Sequence, residues 1–343
     1  MAESGDYGIL DASVPFADKP QQRATLYDHL NRGLDWLLRD RTRRGLCRIG
    51  QGDWNDPLNM AGHQEKGESI WLSEALAYAL ATWAEIADFR RDQPRARRWR
   101  RAAAKLRQAI NRYAWDGHWY VRGFTDAGRP FGTRRDREGR IFINSQSWAI
   151  ISRAATPQRR RRCVRAVEQH LLTPTGPMTL APAYTRFHGD IGKLTQKIPG
   201  WNENGSSYCH AATFYAYALY VALQADKGFA ALRGLLPGGG ANTIVRAGQV
   251  PLYVPNFYRG VAAGRKAGLS SHAPNTGTAS WYYRTAITML CGVRAEPHGL
   301  RLDPQLPARW RHVTVWRRWR DAEFTIQIIR DRQLRRPAVT LDG

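Results

Sequence analysis

The chain has 343 residues, 43% of them hydrophobic, enough for one large domain or two ordinary ones with an ample core. Its formal charge of +23, from 52 Lys+Arg against 29 Asp+Glu, permits contact with nucleic acid or acidic polymer. No RNP, zinc-finger or helix-turn-helix signature accompanies that charge, and the basic runs at 95–101 and 159–162 fall on helices with an apolar stripe, so solvated outer faces are expected rather than a nucleic-acid partner.

Residues 1–21 read as loop, with Pro15 and Pro20, and the polar, acidic start MAESGDYGILD has no signal-peptide pattern. Over 22–39, Leu26, Leu30, Leu34, Leu37 and Leu38 recur at helical spacing with charges between them, which predicts an amphipathic helix. The stretch 50–72, GQGDWNDPLNMAGHQEKGESIWL, breaks that pattern. Asp53 and Asp56 stand three residues apart between Gly52 and Pro57, on irregular backbone. Carboxylates, the Trp54 indole and amides on one loop suit sugar chemistry: an acid for the glycosidic oxygen, an aromatic face for the ring, amides for hydroxyls. The same residues also suit an Asx-turn with helix-capping acids.

Helix 71–89 is apolar nearly all round, and 95–113 is amphipathic with Trp99, Ala103, Leu106, Ile110 and Tyr113 inward. The alternation continues: 144–155 apolar, 158–172 amphipathic and basic, 206–224 apolar, 227–236 short and mixed, 278–291 apolar. Wholly apolar helices alternating with half-polar ones imply an inner and an outer layer, the pattern of an α/α toroid whose long loops at one end build a site. The loops at 116–143 and 173–204 are long and rich in Gly, Pro and aromatic residues, as functional loops are. Short β-rich runs then mark the tail at 300–302, 312–316 and 323–329. The expected fold class is therefore mainly α: an incomplete (α/α)6 toroid over 1–295, with a small C-terminal β cap over 296–343. About eight helices, half of each kind, fall short of a closed ring of six pairs. No apolar run reaches spanning length, so a soluble, cytoplasmic protein without membrane contact is expected. Cys47, Cys163, Cys209 and Cys291 show no CxxC and no metal spacing, and are expected reduced and buried.

Seven motif groups, in order between about residues 9 and 329, carry a resemblance. They are GDWNDPLN with KGESIWL, DGHWYVRGFTDAGRPFG, EGRIFINSQSWAIIS, PGWNENGSSYCHA, PLYVPNFYRG, TGTASWYYR and GLRLDPQLPARW. The chain resembles the glycoside hydrolase family 94 phosphorylases, which include cellobiose, chitobiose and cellobionic acid phosphorylases and the C-terminal region of cyclic β-1,2-glucan synthases. That resemblance implies a six-hairpin glycosidase-like fold and inverting phosphorolysis, a glycosyltransferase reaction in carbohydrate metabolism. Asp56 would be the general acid, protonated through burial or nearby negative charge, and inorganic phosphate the co-substrate. His210, which alone would read as a core histidine, then falls on the family's phosphate-binding histidine, and Thr276 and Gly277 on its threonine and glycine contacts. Glu203 matches a sugar-contacting glutamate, and Trp54, lying along the acceptor, and Asp53 are expected to bind substrate as well.

Asn202 occupies a position where cellobiose phosphorylases carry lysine. The segment GKLTQK, with Lys193 and Lys197, resembles the one through which cellobionic acid phosphorylases hold a gluconate carboxylate. The disaccharide implied is therefore cellobionic acid, and no metal or organic cofactor is implied. Family members are longer, with a β-sandwich and early barrel helices that have no counterpart here. This predicts association of the chain with itself or with a separately encoded N-terminal piece. Two alternatives remain: the phosphorylase-like region of a cyclic β-1,2-glucan synthase, and a non-catalytic carbohydrate-binding remnant.

Overall fold

The computed structural model describes all residues except Asn275, Arg332, Arg335, Pro337 and Gly343, with Thr276 described by its backbone alone. Its longer helices are α1 (Leu26–Arg39), α2 (Ile70–Phe89), α3 (Gln93–Tyr113), α4 (Ile143–Ile151), α5 (Pro157–His170), α6 (Cys209–Val221), α7 (Ala225–Gly234) and α8 (Thr276–Thr285), the last running on into a π-helical turn at Ala286–Leu290. Side chains of Thr25, Ser69, Asp92 and Thr156 each accept the backbone N–H three residues on, which fixes the starts of α1, α2, α3 and α5. Helix α1 begins later than its hydrophobic period predicts because Arg23–Thr25 pairs with Ser13–Pro15 as a small hairpin.

The apolar helices α2, α4, α6 and α8 pack side by side in that order, and α3, α5 and α7 back α2, α4 and α6 in turn. The alternation along the sequence is thus a real division into layers. Helix α1 joins through Asn31, a buried amide whose oxygen accepts the indole N–H of Trp83 on α2 (3.0 Å) and of Trp99 on α3 (3.2 Å). The basic face of α3 is not free: Arg95 pairs with Asp28 and Asp92, Arg98 with Asp35 and Arg100 with Asp88. These arginines stitch α3 to its neighbours and keep its charged face wet. Aromatic rings from all four inner helices meet where Trp148 touches Trp71, Tyr78 and Trp281, and Trp281 touches Tyr217, with centroids 5.6–6.0 Å apart.

Short strands precede the inner helices at one end. Strands β1 (Cys47–Arg48), β2 (Glu68–Ser69), β3 (Gly123–Phe124) and β4 (Pro130–Phe131) form an antiparallel sheet in that order, and β2 runs straight into α2. Strand β5 (Ser207–Tyr208) pairs with β6 (Phe257–Tyr258) and runs into α6, so that helix starts at Cys209 rather than near 206. In the tail, β7 (Val293–Glu296) pairs with β8 (Gly299–Leu302), and β9 (His312–Trp319) with β10 (Ala322–Ile329). Strand β7 spans the expected 295/296 boundary. The β9 hairpin is tied to the N-terminus, where Arg317 pairs with Glu3 and the Trp319 indole donates to the Ala2 carbonyl. No helix among the described residues is long and apolar enough to cross a membrane.

Candidate active site

The two aspartates of the loop between β1 and β2 have opposite environments. The Asp53 side chain has no exposed surface. Its Oδ1 accepts from the Asn55 backbone N–H (2.9 Å) and from Arg122 Nη2 (2.5 Å), and its Oδ2 from Ser69 Oγ (2.5 Å). Arg122 is equally buried and also donates to Asn55 Oδ1 (3.1 Å). Asp53 therefore makes the Asx-turn and clamps the loop to the cap of α2. Asp56 is exposed. The burial expected to protonate it is absent from the free protein. Gly52 must lack a side chain, because at φ +131° a Cβ would stand 2.9 Å from the Asp56 carbonyl oxygen.

Trp54, between the two aspartates, reaches across to α6. Its indole N–H donates to His210 Nδ1 at 3.3 Å, and its ring meets those of Tyr208, His210 and Phe214 edge-on at 5.4, 5.4 and 5.9 Å. Burial pushes the His210 imidazole down to about 4, so it is neutral at neutral pH. Gly277, in the first turn of α8, lies against the same ring: a Cβ there would come within 2.5 Å of Cε1 and 3.0 Å of Nε2. Trp54, His210 and Gly277, far apart in sequence, thus form one contact group where the starts of α6 and α8 meet the DWND loop. The Thr276 side chain lies outside the described residues.

The segment GKLTQK lies directly on the acid loop. The Leu194 N–H donates to the Pro57 carbonyl (2.9 Å), and the Lys193 N–H to Asn59 Oδ1 (3.0 Å). The two lysines nevertheless part company. Lys193 is exposed, whereas Lys197 is half-buried and ion-paired with Glu203. Asn202 sits at φ +44° in the turn that brings Trp201 back to Asn204, and its carbonyl accepts from Ser206 Oγ. This is a backbone role that asparagine tolerates well.

Two residues of the site escaped the reading of the sequence. One is Arg122, whose charge inside the run HWYVRG was itself a signal of a buried ion pair. The other is Tyr208, edge-on to Trp54, whose phenol is raised by burial first and by the charge of Glu203 next, with Asn256 as hydrogen-bond partner.

Two solved structures share this fold over most of the chain. A sialidase superposes with a TM-score of 0.62 at 12% identity, over 88% of this chain and 27% of its own. A GH78 family rhamnosidase of Bacillus sp. GL1 gives 0.58 at 15% identity, over 88% and 28%. At such identities the likeness is one of fold. The family model described as "Glycosyl hydrolase 94 superfamily, catalytic domain" matches residues 1–292, and the chain belongs to that superfamily. It is 42% identical to the cellobionic acid phosphorylase of Neurospora crassa over 96% of this chain and 42% of that protein. Identity is 38% to a 3-O-β-D-glucopyranosyl-β-D-glucuronide phosphorylase of Paenibacillus borealis, over 100% and 45%. The cyclic β-(1,2)-glucan synthase NdvB of Rhizobium meliloti is 30% identical over 100% of this chain and 13% of its own length. The chain spans less than half the length of these relatives.

Proposed function

We propose that this chain carries the acid and phosphate side of an inverting glycoside phosphorylase, which cleaves a β-linked glucosyl disaccharide with inorganic phosphate to give α-glucose 1-phosphate. The observation that carries it is the contact of Trp54 with His210, which sets the loop bearing Asp56 against the histidine and the Gly277 turn. An inverting hydrolase needs an acid on the leaving oxygen and a base for water on the opposite face. Here phosphate is itself the nucleophile, so one carboxylic acid suffices. Asp56 gives its proton to the glycosidic oxygen as that oxygen leaves the anomeric carbon, and a phosphate oxygen bonds to the opposite face of the same carbon. His210, Thr276 and Gly277 hold the phosphate at the positive end of α8. The negative charge of bound phosphate, with water expelled by the sugar, favours the protonated form of an acid that is exposed in the free protein.

Glu203, Trp54 and Tyr208 hold the sugar, and Lys193 meets an acidic group on the acceptor, with Lys197 held beside it by Glu203. An acidic acceptor is supported by the names of the two relatives with cellobionic acid and a glucuronide, and cellobionic acid is the disaccharide we favour. The catalytic part is 1–295 and the cap 296–343, and the chain associates with itself or with a separate N-terminal piece. The match to the cyclic glucan synthase favours a second reading, in which the acceptor is a β-1,2-glucan and Lys193 has no role. Release of α-glucose 1-phosphate from cellobionic acid and from cellobiose tests both. Asp56→Asn should lower it by about 100-fold or more. Lys193→Ala should weaken only the use of cellobionic acid, by about tenfold, a loss typical of one charged hydrogen bond. Release that ignores Asp56→Asn contradicts the proposed acid, and release that ignores Lys193→Ala favours the glucan reading.

A further inference from the structure

An indole N–H can only donate, so the nitrogen it reaches must offer a lone pair. Trp54 Nε1 reaches His210 Nδ1 at 3.3 Å. A neutral imidazole whose Nδ1 accepts carries its single proton on Nε2. The ring turns its Cε1 toward Gly277, with Nδ1 and Nε2 on either side of that carbon, 2.7 and 3.0 Å from where a Cβ would stand, beside the first turn of α8. No hydrogen-bond partner of Nε2 is found among the described residues. The ring cannot turn freely to exchange its nitrogens, since Trp54 and Phe214 flank it at 5.4 and 4.6 Å, and Gly277 closes a third side.

We propose that Trp54 is a positioning residue: its indole N–H fixes His210 as the Nε2–H tautomer, so that the imidazole offers a phosphate oxygen one aimed, neutral N–H donor rather than a mobile cation. This rests on the reading of His210 as a phosphate ligand and goes beyond it, because it gives the indole next to the acid a task on the phosphate side. The loop carrying Asp56 and the group holding the nucleophile then share one hydrogen bond. A shift of the loop that breaks the bond frees the tautomer and weakens the phosphate grip in the same movement.

The test is long-range proton–nitrogen NMR on histidine-labelled protein, with the His210 signals identified by their loss in His210→Gln. The wild type should show His210 as the Nε2–H tautomer without added ligand, and Trp54→Phe, which keeps an aromatic ring but no donor, should show a mixture. Inorganic phosphate affinity should fall on the order of tenfold in Trp54→Phe, as expected for one lost aimed hydrogen bond. His210→Gln supplies a second control, since the glutamine amide places an N–H near the Nε2 position and has no tautomer to fix. Adding Trp54→Phe to His210→Gln should therefore cost less than about twofold, well below one hydrogen bond.

An Nδ1–H tautomer in the wild type, or an equal loss from Trp54→Phe in both backgrounds, would overturn the proposal. Failure of the phosphate reading looks different: inorganic phosphate would bind His210→Ala as well as wild type, while the tautomer result stood.

Discussion

Arg122 and Asp53, both without exposed surface, hold the loop that carries Asp56. Removing one partner of such a pair strands a buried charge, so Arg122→Ala should destabilise the fold by about 3–5 kcal/mol, read as the shift in a urea midpoint. A loss below 1 kcal/mol would mean that Asp53 finds water or another donor. Glu74, on α2, is a second buried carboxyl, and neither oxygen has a partner among the described residues. Burial pushes its pKa well above the usual glutamate range, with the charge of Arg122 acting the other way. The unfolded chain gives up the Glu74 proton at a lower pH than the fold does, so the contribution of Glu74 weakens as pH rises above the ordinary glutamate value. Glu74→Gln should therefore melt higher than wild type at pH 8, with the gap closing toward pH 4. A gap that does not change with pH would contradict the protonated state. His210 acts in the opposite direction: held down to about 4, it costs stability as pH falls from its unfolded value of 6.5 toward 4. The identities of Asp56, Trp54, His210 and Gly277 were legible from motifs. The division of labour between Asp53 and Asp56 was not, because it depends on an arginine 69 positions away from Asp53.

At the scale of elements, hydrophobic period was enough to find the long helices and to sort them into two layers. Their starts were less legible. Helix α6 loses its first residues to a strand pairing with Phe257–Tyr258, a partner too distant for local pattern to reveal. The junction of α6 with α8 carries its own prediction. Gly277→Ala would drive a methyl into the His210 ring, and the small residue is otherwise welcome in a helix. We expect phosphate affinity to fall by about tenfold, one aimed hydrogen bond, with the melting temperature little changed. Unchanged affinity would show that His210 does not hold the anion.

On the molecule as a whole, some apolar side chains of the inner helices stay open to solvent. On α8, Ala279 and Tyr283 are exposed, the latter by 70%, and Trp71, Leu72, Ala75 and Tyr78 on α2 are only half-covered. Tyr78 packs on Trp148 and accepts a hydrogen bond from Arg284 of α8, so the apolar side chain left most open on these helices is Tyr283. Exposed patches of this kind drive association. Sedimentation velocity should show concentration-dependent self-association that Tyr283→Glu reduces, and a monomer at every concentration would contradict it. The sequence foretold the alternation of apolar and half-polar helices, but not which of their side chains stay exposed, since that depends on how α2, α4, α6 and α8 pack.

The most direct test of the central claim, that the Asp56 loop and the His210 turn form one phosphorolytic site, is a crystal structure of this chain with inorganic phosphate. The account predicts the anion within hydrogen-bond reach of His210 Nε2 and the Gly277 N–H, on the side of Trp54 that faces Asp56. Phosphate bound elsewhere, with the His210 ring still packed against Gly277 and its Nε2 turned from solvent, would contradict it.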